Sequence, residues 1–392
     1  MAYLWNHSMK WMVGIILMMA LMACSHHDEN EAQPTMLRLY VYAPGNPIQT
    51  RVDKGEVDAT EVESTIHRLQ IWVFRHTDGK KVAYFSPEST DKLNTDNQDV
   101  YLFSVPEWFG DEKSNVDVYV LANGYEENCG YEENCDIALD ANTTRAQLDA
   151  AIMNDNAFGL TTLIDEVSES KGLPMSGVLK NQTVSGKNPV LHIGEENQVA
   201  TVKLARAVSK VRFVFASSSA EGVPDVTIDN IELNAGMIPS QEYLFLTEPY
   251  NGRNFRVGTE FNAQAKSMLG GEPEAFVVAK TDDPAQFVYT IQESQAYETL
   301  ITTGVTEGKL TQKGPFYLHE TDKKLSGVIT YHLGNEDPKE TTFAVKTAGD
   351  FSRNHTWIVY AFCGAATLEV ITVQIQNWNV IENELEHKIY NW

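Results

Sequence analysis

The sequence predicts an all-β protein: two tandem β-sandwiches behind a signal peptide and a short tether. Three observations carry this. Short apolar or alternating runs rich in Val, Ile, Tyr and Phe recur along the chain between turn residues. Helical periodicity is confined to a single stretch. The 392 residues, 43% of them hydrophobic, are enough for about two domains with packed cores. The formal charge of −24 excludes a nucleic-acid binder, which would need a basic surface to face phosphates. It also disfavours adhesion of the folded body to anionic lipid headgroups.

Residues 1–23 read as a lipoprotein signal peptide. Lys10 is followed by twelve apolar residues, Trp11 to Met22, too short for a comfortable transmembrane helix and right for a secretory apolar region. The run ends at Leu21-Met22-Ala23-Cys24, which resembles a bacterial lipobox and makes Cys24 the expected lipidated residue. Residues 24–35 form a polar, acidic tether (Ser25-His26-His27-Asp28-Glu29-Asn30-Glu31) with too little apolar content to pack.

The strands follow in order. Leu37, Leu39 and Val41 alternate with Arg38, Tyr40 and Tyr42 as a half-buried strand, broken by Pro44-Gly45-Asn46-Pro47. Leu69 to Phe74, the turn Thr77-Asp78-Gly79-Lys80 and Val82 to Phe85 make a hairpin. Val116 to Leu121, a long strand Val199 to Phe215, Thr356 to Phe362 and Val370 to Ile375 are further strands. Thr143 or Thr144 can cap a helix over Arg145 to Met153, with Leu148 and Ile152 on one face. The polar stretch 194–198 sets the expected boundary, giving an N-terminal sandwich over 36–197 and a C-terminal one over 198–392.

Gly124-Tyr-Glu-Glu-Asn-Cys129 is repeated as Gly130-Tyr-Glu-Glu-Asn-Cys135. One copy of a hexapeptide is a lengthened loop and not a repeat architecture. Cys129 and Cys135 are candidates for a disulfide in an oxidising envelope. Asp91, Asn94, Asp96, Asn97 and Asp99 read as a loop of Asx turns in preference to a calcium site. No phosphate loop, nucleophile elbow or His-Glu-x-x-His occurs, so neither an enzyme nor a metal or other cofactor is expected. Cys363, within a β run, reads as a buried small hydrophobe. Trp72, Trp357 and Trp378 read as core, while Trp108 is the one candidate for stacking on a sugar.

Taken together, these residues resemble the Bacteroidales fimbrillin family. The resemblance is carried by the lipobox and tether, Leu69 to Phe74 before an Asp-Gly turn, and Val118-Tyr-Val-Leu-Ala-Asn123. It continues through Leu173-Pro-Met-Ser-Gly177, Val202 to Val211, Ile231 to Asn234, Glu242-Tyr-Leu-Phe245 and Arg353-Asn354-His355. It implies two transthyretin-like sandwiches and a structural or accessory fimbrium subunit serving adhesion. Such a subunit is exported as an outer-membrane lipoprotein and partnered by other fimbrial subunits, with a host or bacterial surface receptor as a further candidate partner.

The same resemblance implies assembly by donor-strand insertion. A protease cut after Arg51 removes the first strand, with Leu37, Leu39 and Val41, and opens a groove for a strand of the next subunit. The C-terminal stretch Val380 to Trp392, with Ile381, Leu385 and Ile389, is the candidate donor. Anchor subunits of the family are not cut. The competing reading is a surface glycan-binding lipoprotein of similar build.

Overall fold

The computed structural model describes residues 36–42, 63, 66–86, 92–95, 98–104, 115–124, 129–130, 139–154, 172–187, 190–239, 241–246, 261–270, 272–294, 296–344 and 353–377. Its first part runs β1 (Met36–Tyr42), β2 (Leu69–Arg75), β3 (Lys81–Phe85), β4 (Lys92–Thr95), β5 (Gln98–Ser104), β6 (Asn115–Ala122), β7 (Cys129–Gly130), α1 (Arg145–Asp149), β8 (Ile152–Asn154), β9 (Met175–Lys187), β10 (Val190–Glu195), β11 (Gln198–Val199), β12 (Thr201–Lys203) and β13 (Ala205–Arg206). The second part runs β14 (Ser209–Ser218), β15 (Val226–Leu233), β16 (Gln241–Tyr243), β17 (Lys266–Ser267), β18 (Phe276–Val277), β19 (Lys280–Thr281), α2 (Pro284–Glu293), α3 (Tyr297–Thr306), β20 (Thr311–Leu318), β21 (Ser326–Leu333), β22 (Lys339–Ala344), β23 (His355–Cys363) and β24 (Leu368–Asn377). The all-β class expected from the sequence is what the chain adopts, with few helices.

In the first part the strands follow the order β3-β2-β6-β9-β10-β1-β5-β4. Long β9 pairs β6 along Met175 to Thr183 and β10 along Val184 to Lys187. It therefore passes from one layer to the other, a usual way to turn a sandwich corner. Ile71, Val73, Val118 and Val120 from β2 and β6 share one core with Leu37, Leu39 and Val41 from β1 and Leu191 and Ile193 from β10. The opposite faces of β2 and β6 bury Trp72, Phe74, Tyr119 and Leu121 in a second cluster. Strands buried on both faces read as continuous apolar runs, which is why Leu69 to Phe74 lacks a polar alternation. The predicted hairpin is present: Gly79 sits at φ 68°, its N–H donates to the Arg75 carbonyl, and Asp78 accepts from the Lys80 N–H.

The second part is a sandwich of two sheets, β19-β14-β23-β24 with β20 on β14, and β17-β15-β21-β22 with β18 on β15. Phe213, Phe215, Trp357 and Val359 meet Ile228, Ile231, Ile329 and Phe343 between the layers. Cys363 is buried there as a small hydrophobe, and burial pushes its thiol up. The outer face of β14 and β23 (Val214, Ile358, Tyr360) is covered by Val288 and Ile291 of α2 and Tyr297 and Ile301 of α3. These two helices were not expected, although Asp283 caps Gln286 and Pro284 occupies the first turn.

Three local expectations are corrected. The helix after Thr144 ends at Asp149, and Ile152 and Met153 lie in β8. The predicted cap is real: the Thr144 hydroxyl accepts from Gln147 N–H and the Gln147 side chain answers, a capping box. Of the Asx-rich stretch, Asn94 and Asp99 stand in strands and not in a loop, with β4 and β5 paired from Lys92↔Tyr101 to Thr95↔Gln98, while Asp91, Asp96 and Asn97 lie outside the described residues. The single strand expected over 199–215 is four strands. The chain leaves the first sheet through β11, β12 and β13 and enters the second sheet at β14. Strand pairing therefore changes partners between Arg206 and Ser209.

Candidate assembly site

The site is the seat of β1. Alternation puts Leu37, Leu39 and Val41 inward, at 0%, 0% and 1% exposure. Met36, Arg38 and Tyr40 are half-buried. Burying the three inward side chains is worth roughly 1.5–3 kcal/mol each. β1 is an interior strand. Met36 to Arg38 run parallel to Val190 to His192 of β10, and Tyr40 to Tyr42 run parallel to Thr201 to Lys203 of β12. On its other side Met36 to Val41 run antiparallel to Ser104 to Asp99 of β5. The Tyr40 N–H donates to the Ala200 carbonyl at 3.2 Å. Gly177 of β9 lies so close beneath β12 that a Cβ would fall 2.6 Å from Val202 and 2.7 Å from the Lys203 carbonyl. The glycine of Leu173-Pro-Met-Ser-Gly177 thus sets the packing of the strand that lines the seat.

A buried polar junction lies where the two parts of the chain meet. Lys210 Nζ donates to both Glu63 oxygens at 3.0 Å, and the Tyr317 hydroxyl donates to Glu63 Oε1 at 2.7 Å. Arg206 Nε donates to the Glu63 carbonyl at 3.0 Å and its Nη1 to Asn354 Oδ1 at 3.3 Å. All five side chains are buried. Burial pulls the Lys210 ammonium down to about 8 against the opposing pull of Glu63. Beside this group, Arg353 Nε and Nη2 grip Glu320 Oε1 at 2.9 and 2.7 Å, while Nη1 and Nη2 donate to the Leu244 and Tyr243 carbonyls. Glu242 Oε1 is 2.5 Å from Arg353 Nη2. Burial raises the Glu242 carboxyl well above its usual range, with Arg353 opposing and Glu320 adding to the rise.

The junction also has a backbone component. β16 pairs β8, and β8 pairs β7, so a strand from the second part completes a small sheet with two from the first. Leu244 and Phe245 enter the cluster around Trp72 and Tyr119, and the Ser176 hydroxyl donates to the Leu244 carbonyl. The segments Leu173 to Gly177, Glu242 to Phe245 and Arg353-Asn354, scattered in sequence, are neighbours here. Nothing in the local pattern of the sequence marked Glu63, Lys210 or Glu320 as buried. Charged residues in short runs carry no periodicity that separates an ion pair in a core from a solvated face.

Residues 35–206 match the major fimbrial subunit protein (FimA) family. That span starts one residue before β1 and ends with β13. The match covers the first part of the chain, 172 of its 392 residues. The match supports a structural role as a subunit of fimbriae. Among solved structures, a candidate cell adhesion protein from Parabacteroides distasonis is similar at 11% identity and a TM-score of 0.52, over 90% of this chain and 99% of the other. It supports the fold. A fimbrial assembly protein from the same organism aligns at 16% identity and a TM-score of 0.46, over 88% of this chain and 99% of the other. The C-terminally truncated tip fimbrial protein Mfa3 of Porphyromonas gingivalis aligns at 14% identity and a TM-score of 0.43, over 88% and 99%. No curated protein matches the sequence of this chain.

Of the expected site residues, the structure brings Leu37, Leu39 and Val41 together in the seat. Cys24, Arg51, Cys135, Ile381, Leu385, Ile389, Trp108 and Trp378 lie outside the described residues, and of Cys129 only its backbone place in β7 is described. Trp72 and Trp357 are core residues, as expected. Among the described residues no group of three His, Cys, Asp or Glu is placed to hold a metal, and no helix is long and apolar enough to cross a membrane.

Proposed function

We propose that this fimbrial subunit is exported as an outer-membrane lipoprotein acylated at Cys24 and assembles by strand replacement at the β1 seat. A cut after Arg51 releases β1, and a strand from the next subunit takes its place. The segment carrying Ile381, Leu385 and Ile389 is the donor. The observation that supports this reading most is that β1 is both the first described strand and an interior one. It is paired on both sides and fully buried at three positions, and 20 residues separate it from Glu63. An interior strand that comes first in the sheet's chain order can be exchanged once the chain after it is cut, and the open ladder it leaves is a strong template for another strand.

N-terminal sequencing and mass analysis of protein extracted from the cell surface test this. A chain beginning at Val52 supports strand removal. A chain found only with acylated Cys24 identifies an uncut anchor-type subunit and removes β1 exchange from its life cycle.

A further inference from the structure

The two sides of the β1 seat are held in different ways. On one side β10 belongs to a continuous ladder through β9, β6, β2 and β3. β12, which also pairs β1, is held at its ends by β11 on β10 and by β13 on β9. This side is tied to the second part of the chain as well. Glu63, upstream of β2, is fixed by Lys210, Tyr317 and Arg206, and β9 carries Ser176 against Leu244. On the other side stands the β4–β5 hairpin. Among the described pairings, β5 has two partners, β1 and β4, and β4 has one, β5. The hairpin joins the sheet through six register pairs, Met36↔Ser104 to Val41↔Asp99, all of them to β1.

We propose that the β4–β5 hairpin is a flap that opens when β1 leaves and closes over whichever strand next occupies the seat. This deepens the strand-replacement reading and rests on it for its role in assembly. An incoming strand first adds to the edge of β10 and β12, which stays in place because β9 and β11 hold β10. It then offers its free edge to β5, and the hairpin completes the sheet. The flap lets a strand enter from the side and not by threading lengthwise between two fixed neighbours, where every ladder bond on both edges would have to slide. Removal of β1 leaves the Glu63 anchor untouched, so β2 and β6 keep their places while the flap is free.

Native-state hydrogen exchange on the full chain in rising denaturant tests the flap without any cleavage. Opening in contiguous cooperative units is a general property of folded chains. The expected result is that amides of 36–42 and 98–104 exchange as one unit, with a common opening free energy. That unit opens before 69–75 and 115–122. The variant Leu39→Gly speeds exchange of 36–42 and 98–104 together, by roughly 10-fold or more, with little effect on 69–75. Exchange of 98–104 in step with 69–75, or unmoved by Leu39→Gly while 36–42 speeds up, overturns the proposal. The cut after Arg51 is read separately from the N-terminus of surface protein, so failure of either result is told apart from failure of the other.

Discussion

Glu63 and Lys210 lie 147 residues apart in sequence and meet in the buried junction, with Lys210 Nζ 3.0 Å from both carboxylate oxygens. The contact ties the strand that begins the second sandwich to the chain entering β2. Breaking one member of a buried pair leaves the other charge without compensation. Glu63→Gln should therefore destabilise the protein by about 3 kcal/mol. The double variant Glu63→Gln with Lys210→Met should recover part of that loss. Denaturant unfolding of the two variants beside the natural chain checks both.

Arg353 is the second tie. Its guanidinium holds Glu320 in a fork and also donates to two carbonyls of the segment 243–244. Lysine keeps the charge but lacks the planar set of donors. Arg353→Lys should lower the melting temperature, and Arg353→Ala should lower it further, because Glu242 and Glu320 would then face each other buried and uncompensated. Calorimetry of the two variants ranks them, and equal melting temperatures would count against this role for the fork.

Asp117 gives the pH dependence. Burial acts to raise its carboxyl, but the Asn181 N–H, His76 and Lys180 outweigh that, and it lies below the usual carboxylate range. Arg145 Nη1 also donates to its second oxygen at 2.9 Å. A folded-state value below the unfolded one means that Asp117 contributes stability above the unfolded value of about 3.9, lost as the pH falls through the folded one. Asp117→Asn should cost about 3 kcal/mol at pH 7 and flatten the acid limb of the stability curve. Chemical denaturation between pH 2 and pH 7 on the order of half-unit steps reads both effects.

The seat itself predicts a packing effect. Leu39 is fully buried opposite Tyr101 in register, and Leu39→Ala should cost about 3 kcal/mol through lost transfer energy and the cavity left behind. Arg38→Ala, at a half-buried position of the same strand, should cost less than about 1 kcal/mol. Similar losses for the two variants, measured by urea unfolding, would contradict the inward alternation of β1.

Much of this fold could be read from the sequence because alternation and turn chemistry are local. Leu37-Leu39-Val41, the Asp78-Gly79 turn and the Thr144 cap each carry their signal within a few residues. The parallel pairing of β1 with β10 and of β14 with β23 has no such signal, since it depends on segments about 150 residues apart. Helices α2 and α3 were hidden by Thr and Tyr at many positions, residues that serve strands as well as helices. The junction was legible only as scattered family-like words. Glu242, Arg353 and Asn354 stood in quoted motifs, but that they close around one another is a fact of the tertiary structure.

The account rests on the claim that β1 occupies the place of an assembly strand. The most direct measurement compares, on unheated and heated denaturing gels, purified chain retaining residues 36–51 with chain beginning at Val52. The account predicts heat-labile ladders from the chain beginning at Val52 and monomer from the chain that keeps β1. Ladders from both, or from the longer chain alone, would contradict it.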